Sequence, residues 1–419
     1  MEYIPVEVIG NILSRVGDAK DVVVASITCR KWRNAFRYHL HSLTFNLNDS
    51  PVYRDILTSQ IEILITTTIF QTDGLQGLSI ITDDIDEFSA SAVTAWLVHT
   101  RECLKSLYYN VQTNPSINIL EICARRKLEK LIVVHNMILG VEPNYQRFPC
   151  LTFLSLSYVS ISPLDLSLLL TACPKIETLS LTNLEITVSD AQVSVELNSS
   201  TLKTIYVEAI SLDKFILEAD SLEDLRLKDC AMEQFDLIGK GNLKFFKLDD
   251  VSVINFDLCE PIESLEEVDV SNFTFSWLSF YHMISRSSNL RVLRLWDVAF
   301  EDLDEVVYLE AVAKSFPYLR RLSFILDLKE HFLHFIAEGS YKMHNLAVLE
   351  IGWTAIHGQF YPFLENFLQK CPNLKKLIIH GTVSDAKTNE EYRTLANFTS
   401  SVVRLMREYM HVDVHFEYE

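Results

Sequence analysis

The feature that most constrains this chain is a short signature, apolar at its first, fourth and sixth positions, that recurs along most of the sequence. It is plainest in Leu151-x-x-Leu154-x-Leu156, Leu222-x-x-Leu225-x-Leu227 and Leu290-x-x-Leu293-x-Leu295. Copies begin at 40, 75, 104, 128, 151, 176, 202, 222, 243, 265, 290, 319, 346 and 374. The fourth and sixth positions point the same way from an extended strand, because strand side chains alternate. One such strand cannot bury its apolar face alone, whereas stacked neighbours share a continuous core.

Most of the spacings match the period of leucine-rich repeats. The expected fold class is therefore α/β, a curved parallel sheet with helices and loops on its convex side. Helical spacing marks return segments at 88–103, 163–172, 277–287, 303–316 and 359–370. The copies from 202 to 270 are closer together and predict tighter returns. Asn389–Met410 reads as a helix, and Val412, Val414 and Phe416 alternate with charged residues as an edge strand would. Residues 389–419 are thus the expected cap of a solenoid running over 39–419.

Charge narrows the function classes. Lys and Arg number 37 against 56 Asp and Glu, a net charge of −19, which disfavours nucleic acid and anionic membrane surfaces as partners. Apolar runs are short, so no membrane span is expected, and the first residues lack the pattern of a secretory leader. The eight cysteines are scattered and form no CxxC, as in a reduced nuclear or cytoplasmic protein. No phosphate loop, GxGxxG or GxSxG motif occurs. His331 and His334, three apart beside Glu330, lack zinc-hydrolase spacing and read as surface residues. Glu301, Asp302, Asp304 and Glu305 read as a solvated loop or helix start. No catalytic residue, metal site or cofactor is expected.

Residues 1–38 stand outside the repeat. Pro5 suits a first helical turn, and Val8, Ile9, Ile12, Leu13 and Val16 follow at helical spacing. Gly17 is a stop signal, Asp18 or Asp21 a candidate cap, and Cys29, Trp32 and Phe36 share one face of a third short helix. Three helices this short make a small core. The segments Ile4-Pro5-x-Glu7-Val8-Ile9-x-x-Ile12-Leu13-Ser14-Arg15-Val16, Asp21-Val22-Val23 and Cys29-Arg30-Lys31-Trp32-Arg33 resemble an F-box. With the repeats behind it, and with Cys173-Pro174 and Cys371-Pro372 opening two of them, the whole chain resembles the plant F-box/leucine-rich-repeat proteins. The resemblance implies a substrate receptor of a Skp–cullin–F-box ubiquitin ligase. Carried over by position, Ile4, Pro5, Val8, Ile9, Ile12, Leu13, Val16, Val22 and Trp32 would form the F-box core or contact a Skp-family adaptor, and through it a cullin. Ile4, Gly17 and Thr28-Cys29 depart from the usual F-box residues. They keep open an alternative, a scaffold or ligand-sensing protein that joins no cullin.

The third, fifth and seventh positions of each repeat should face outward on the concave side. Tyr206, Arg226, Lys247, Arg294, Trp296 and Arg321 are the expected target-binding group, aligned across neighbouring repeats. Some similar receptors hold a hormone or inositol phosphate there, and these cations permit such a ligand. The band 206–321 is expected to be locally more basic than the rest of the chain.

Overall fold

A computed structural model describes residues 4–48, 56–82, 87–124, 127–141, 148–187, 193–239, 242–258, 262–302, 304–326, 335–353, 360–381 and 389–418. The chain divides into two compact units, one of Met1–Asp220 with Met232–Phe235, the other of Ser221–Ala231 with Asp236–Glu419.

The first unit opens with three helices, α1 (Val6–Val16), α2 (Ala19–Ser26) and α3 (Arg30–His39). Gly17 ends α1 with a positive φ of 72°, and its N–H donates to the Leu13 carbonyl. Asp18 starts α2, its carboxylate accepting from the N–H groups of Lys20 and Asp21. Helices α1 and α3 touch backbone to backbone at Gly10. A Cβ there would stand 2.5 Å from the His39 Cβ and closer still to the His39 carbonyl oxygen.

The helices are joined to the first repeat rather than tethered to it. The Ser14 hydroxyl accepts the His41 N–H at 2.8 Å, the Gly17 carbonyl accepts the Thr44 N–H at 2.8 Å, and the Arg37 carbonyl accepts the Asp73 N–H at 2.7 Å.

Repeat strands then pair in parallel with no slip of register. In the first unit Leu43, Leu78, Leu107, Leu131, Leu154, Leu179 and Ile205 lie side by side, all at position four and all buried. In the second unit the same ladder runs Phe246, Val268, Leu293, Leu322, Leu349, Leu377 and Val414. Each buried rung contributes roughly 1.5–3 kcal/mol. Position eight holds a second regularity. His135, Tyr158, Asn183, Ala209, Asp229, Asp250, Asn272 and Asp297 each follow the signature by the same interval, and each has φ between 50° and 54°. At Asn183, Ala209, Asn272 and Asp297 this left-handed residue follows the end of the strand, and at His135, Tyr158, Asp229 and Asp250 it lies within a longer one.

The returns largely follow the spacing. Helices occupy Ala90–Thr100, Pro163–Thr171, Trp277–Ile284, Leu309–Ser315 and Phe360–Leu368. Where copies are close, the returns are extended: Ser194–Asn198 pairs with Ser211–Glu218 in the first unit, and Asp224–Ile238 and Phe245–Leu258 are long single strands. Asn389–Glu408 is helical, and Asp413–Tyr418 pairs in parallel with Lys376–Gly381, the edge strand expected of a cap. The helix Thr58–Phe70 has no counterpart in the sequence reading; its Ile61, Ile65 and Ile69 form the buried stripe.

One core position carries a defect. Tyr109 takes position six of its repeat, where other copies place Leu, Ile, Val or Phe, and its hydroxyl is buried without a hydrogen-bond partner. Burial pushes the phenol pKa up. Tyr109→Phe keeps the ring and removes the unsatisfied group, so stability is expected to rise by about 1 kcal/mol. Thermal unfolding reads this as a gain of roughly 2–4 °C; a lower midpoint would mean that the hydroxyl is bonded in solution.

Candidate functional site

The nine F-box residues separate into a core and a face. Ile9, Leu13 and Val22 are buried, with Ala35, Phe36 and Leu40 packed alongside them in the core set. Ile4 and Trp32 are half-buried and Pro5 is exposed. Val8, Ile12 and Val16, four residues apart along α1, are 43%, 40% and 49% exposed. Val24 on α2 and Ile27 just after it are 56% and 65% exposed. Val8, Ile12 and Val16 thus form an exposed apolar stripe along α1, and Val24 and Ile27 add two further exposed aliphatic side chains, the pattern of a docking surface. Val24 and Ile27 were not in the sequence-derived set; Val22–Ile27 is apolar throughout, and periodicity over so short a run does not say which residues turn outward.

The six residues proposed for the target are divided between the two units. Tyr206 belongs to the first unit, half-buried and in register with Ser180. The other five lie in the second unit. There, Arg226 holds Asp224 of its own strand with two hydrogen bonds of 2.9 Å. Lys247 and Arg294 share Asp269 at 3.0 and 3.1 Å, register placing Asp269 between them. Arg294 also donates to the Ser271 hydroxyl at 3.1 Å and lies 5.0 Å over the Trp296 ring.

Trp296 reaches across the sheet. Its ring meets His380 edge-on at 4.9 Å, and it crosses Gly352, where a Cβ would stand 3.0 Å from the indole. A side chain there would crowd both the indole and Ile325. His380 in turn lies 2.9 Å from Glu350, which accepts from Arg321 at 2.6 Å and from the Ser323 hydroxyl at 2.7 Å. Burial would raise the Glu350 pKa. The hydrogen bonds from Arg321, Ser323 and His380 and the Arg321 charge outweigh it and hold the carboxyl at about 2. Glu350 is therefore ionised and His380 Nε2 donates to it. The arrangement is a continuous network from Lys247 to Arg321, closed around two nearly buried carboxylates. Every one of the five residues is in it or next to it, but their charges are matched internally. The expected basic band is not found: the outward cations are neutralised by Asp224, Asp269 and Glu350, and the segment 206–321 holds more carboxylates per cation than the chain as a whole.

Other residues noted in the sequence have structural roles. Glu305 is no solvated loop residue: its carboxylate accepts from the Ser276 hydroxyl at 2.8 Å and the Trp277 N–H at 2.7 Å, capping the helix of the preceding repeat. Cys173 and Cys371 are buried at the same turn between helix and strand, and burial pushes both thiols up to about 12. His331 and His334 lie outside the described residues. Among the described residues no cluster of His, Cys, Asp and Glu is arranged to hold a metal ion, and no helix is long and apolar enough to cross a membrane.

Comparison with known proteins agrees with both halves of this geometry. Residues 1–42 match the F-box-like family. Residues 105–238 match the family described as FBD-associated F-box protein At5g56370, LRR repeats. The chain is 60% identical over 419 residues to F-box/LRR-repeat protein At1g67190 of Arabidopsis thaliana, covering 100% of both sequences. With the helical module, the in-register repeats and a full-length relative in agreement, the chain belongs to the plant F-box/leucine-rich-repeat protein family.

Proposed function

We propose that this chain is the substrate-recognition subunit of a Skp–cullin–F-box ubiquitin ligase. The stripe of Val8, Ile12 and Val16, with Val24 and Ile27, takes a Skp-family adaptor, the adaptor brings the cullin, and the outward face of the repeat sheet holds a target protein for ubiquitination. The observation that carries the reading is that stripe, exposed on an F-box-like module that is hydrogen-bonded into the first repeat. Exposed apolar patches rimmed by polar residues mark such contacts. No catalytic residue or cofactor is required of this chain. It works by holding a target lysine near the charged conjugating enzyme, raising its effective concentration. A nuclear or cytoplasmic residence accords with its free thiols, Cys29 and Cys103 among them exposed.

Changing Val8, Ile12 and Val16 together to Asn is expected to cut adaptor recovery at least tenfold in co-purification. The three side chains contribute little to the core, so the unfolding midpoint should move by no more than a few degrees. Equal recovery of adaptor by variant and wild type would sink the proposal. Adaptor recovered at full level without cullin would turn it toward the scaffold reading.

A further inference from the structure

The helix Asn389–Glu408 caps the repeats, and one of its faces is out of character for a cap. A terminal element protects a solenoid by turning a polar side outward. Val402 and Leu405 of this helix are buried. Beside them runs a second line, Tyr392, Ala396, Thr399, Val403 and Met406, spaced by four, three, four and three residues. Met410, in the turn just past the helix, continues it by four more. That alternation keeps side chains on one stripe of a helix. All six are exposed, Tyr392 to 59% and Met410 to 86%. From Tyr392 to Met406 the stripe runs about 21 Å along the helix axis.

The place of this helix in the array explains why the stripe is open. An earlier return helix, Ala90–Thr100, packs against Thr58–Phe70 before it and Ile119–Cys123 after it. Asn389–Glu408 packs against Phe360–Leu368 before it, and among the described residues no return helix follows. It therefore lacks the second helical neighbour that Ala90–Thr100 has.

Charge says which kind of neighbour the stripe fits. From Tyr392 to Arg407 there is no carboxylate, in a protein whose net charge is −19. Arg393, Arg404 and Arg407 each follow a stripe residue, Tyr392, Val403 or Met406, and so line one flank of it. All three are exposed, and among the described residues none is in an ion pair. The helix dipole favours cations at Arg404 and Arg407, near the C-terminus, but not at Arg393, near the N-terminus. Where two helices pair on an apolar seam, the flanking charges set partner choice and orientation. A second copy of this chain laid antiparallel on the stripe would set one arginine flank against the other, which opposes association.

We infer that this stripe takes an amphipathic helix of a partner protein, one whose apolar face is flanked by carboxylates. The partner's apolar side chains cover Tyr392, Val403, Met406 and Met410, and its carboxylates reach the three arginines. The surface belongs to the second unit, whereas the adaptor stripe on α1 belongs to the first, and neither depends on the other.

The test uses the full chain and three fluorescein-labelled helical peptides of equal length, with binding read by fluorescence anisotropy. The first carries leucines at alternating spacings of three and four residues, flanked by glutamates. The second replaces its glutamates by lysines, and the third its leucines by serines. The first is expected to bind, and the other two at least tenfold more weakly. Val403→Asp with Met406→Asp should weaken the first peptide at least tenfold. Met410→Asp, at a side chain too exposed to support the fold, should weaken it as well. Arg404→Glu with Arg407→Glu should reverse the order of the glutamate and lysine peptides, a result that a misfolded cap cannot give. The inference is overturned if the first peptide does not bind, if the glutamate and lysine peptides bind alike, or if charge reversal leaves their order unchanged. It is also overturned if sedimentation shows the wild-type chain to be a dimer that Val403→Asp with Met406→Asp dissociates, since the occupant is then a second copy. Phosphatidylserine vesicles that displace the first peptide would overturn it too, assigning the stripe to a membrane surface. Adaptor recovery by the same variants should match wild type, which keeps failure here apart from failure of the ligase reading.

Discussion

Gly10→Ala is expected to abolish adaptor recovery and to destabilise the first unit by about 3 kcal/mol or more. The added methyl meets backbone, not a side chain that can swing away: the His39 carbonyl and Cβ occupy its place. Overpacking usually costs about 1–3 kcal/mol where neighbours can relax, and here relaxation means parting α1 from α3. Their separation would disturb Leu13 and Phe36 in the small core and the Ser14 bond to His41. Gly77→Ala is the matched control, since its methyl meets the Ser42 hydroxyl at 3.1 Å and that side chain can rotate. Co-purification with adaptor and thermal unfolding of both variants measure the contrast. Similar behaviour of the two would refute the close approach of the helices.

Glu350→Gln should cost on the order of 2–3 kcal/mol at pH 7, after allowance for the partly exposed Arg321. The amide keeps the shape but removes the charge that Arg321 and His380 were placed around. The effect is pH-dependent, with a sign fixed by the depressed pKa. The native carboxyl ionises near pH 2, against 4.5 for the unfolded chain. Its stabilisation is therefore complete above about pH 4.5 and is lost as the pH falls toward 2. The gap in urea midpoint between wild type and variant should be widest near neutrality and should narrow at pH 3.5. A gap that is constant across this range would show that the charge contributes nothing.

The parts of the molecule legible in the sequence are those set by one-dimensional periodicity. Leu131, Leu154 and Leu179 announce their burial by spacing alone, and their strands pair at the same position. The crowded copies between 202 and 270 correctly exclude helical returns. Contacts between repeats were harder to read. Glu305 caps a helix that begins 28 residues upstream, a partner no local motif reveals. Glu350 sits at the fifth position of its repeat. Reading that row in register, Lys247, Asp269, Arg294, Ser323, Glu350, exposes the charge matching that residue-by-residue inspection hides. In the F-box helices the difficulty was size. A module of three short helices leaves much of its apolar surface outside, so spacing finds Val8 and Ile9 equally apolar and only packing assigns one outward and one inward. The helix Thr58–Phe70 was obscured by its isoleucines and threonines, β-branched residues that favour strands in isolation.

The left-handed residue at position eight separates two kinds of heredity in this chain. Upstream of it, the pairing register tolerates no change in length, because a slip of one residue would exchange buried and solvent-facing side chains. Downstream, the chain runs as a helix in one repeat and as an extended segment in another. Insertions and deletions can accumulate there while the outward face keeps its alignment. Asn, Asp and His, which adopt this conformation most readily, occupy six of the eight positions, and Ala209 and Tyr158 hold the others. The eight repeats that carry it are in effect cassettes with a marked joint, so copies can be duplicated, lost or exchanged whole. A receptor built this way can acquire a new target by editing rows five and seven without renegotiating its core.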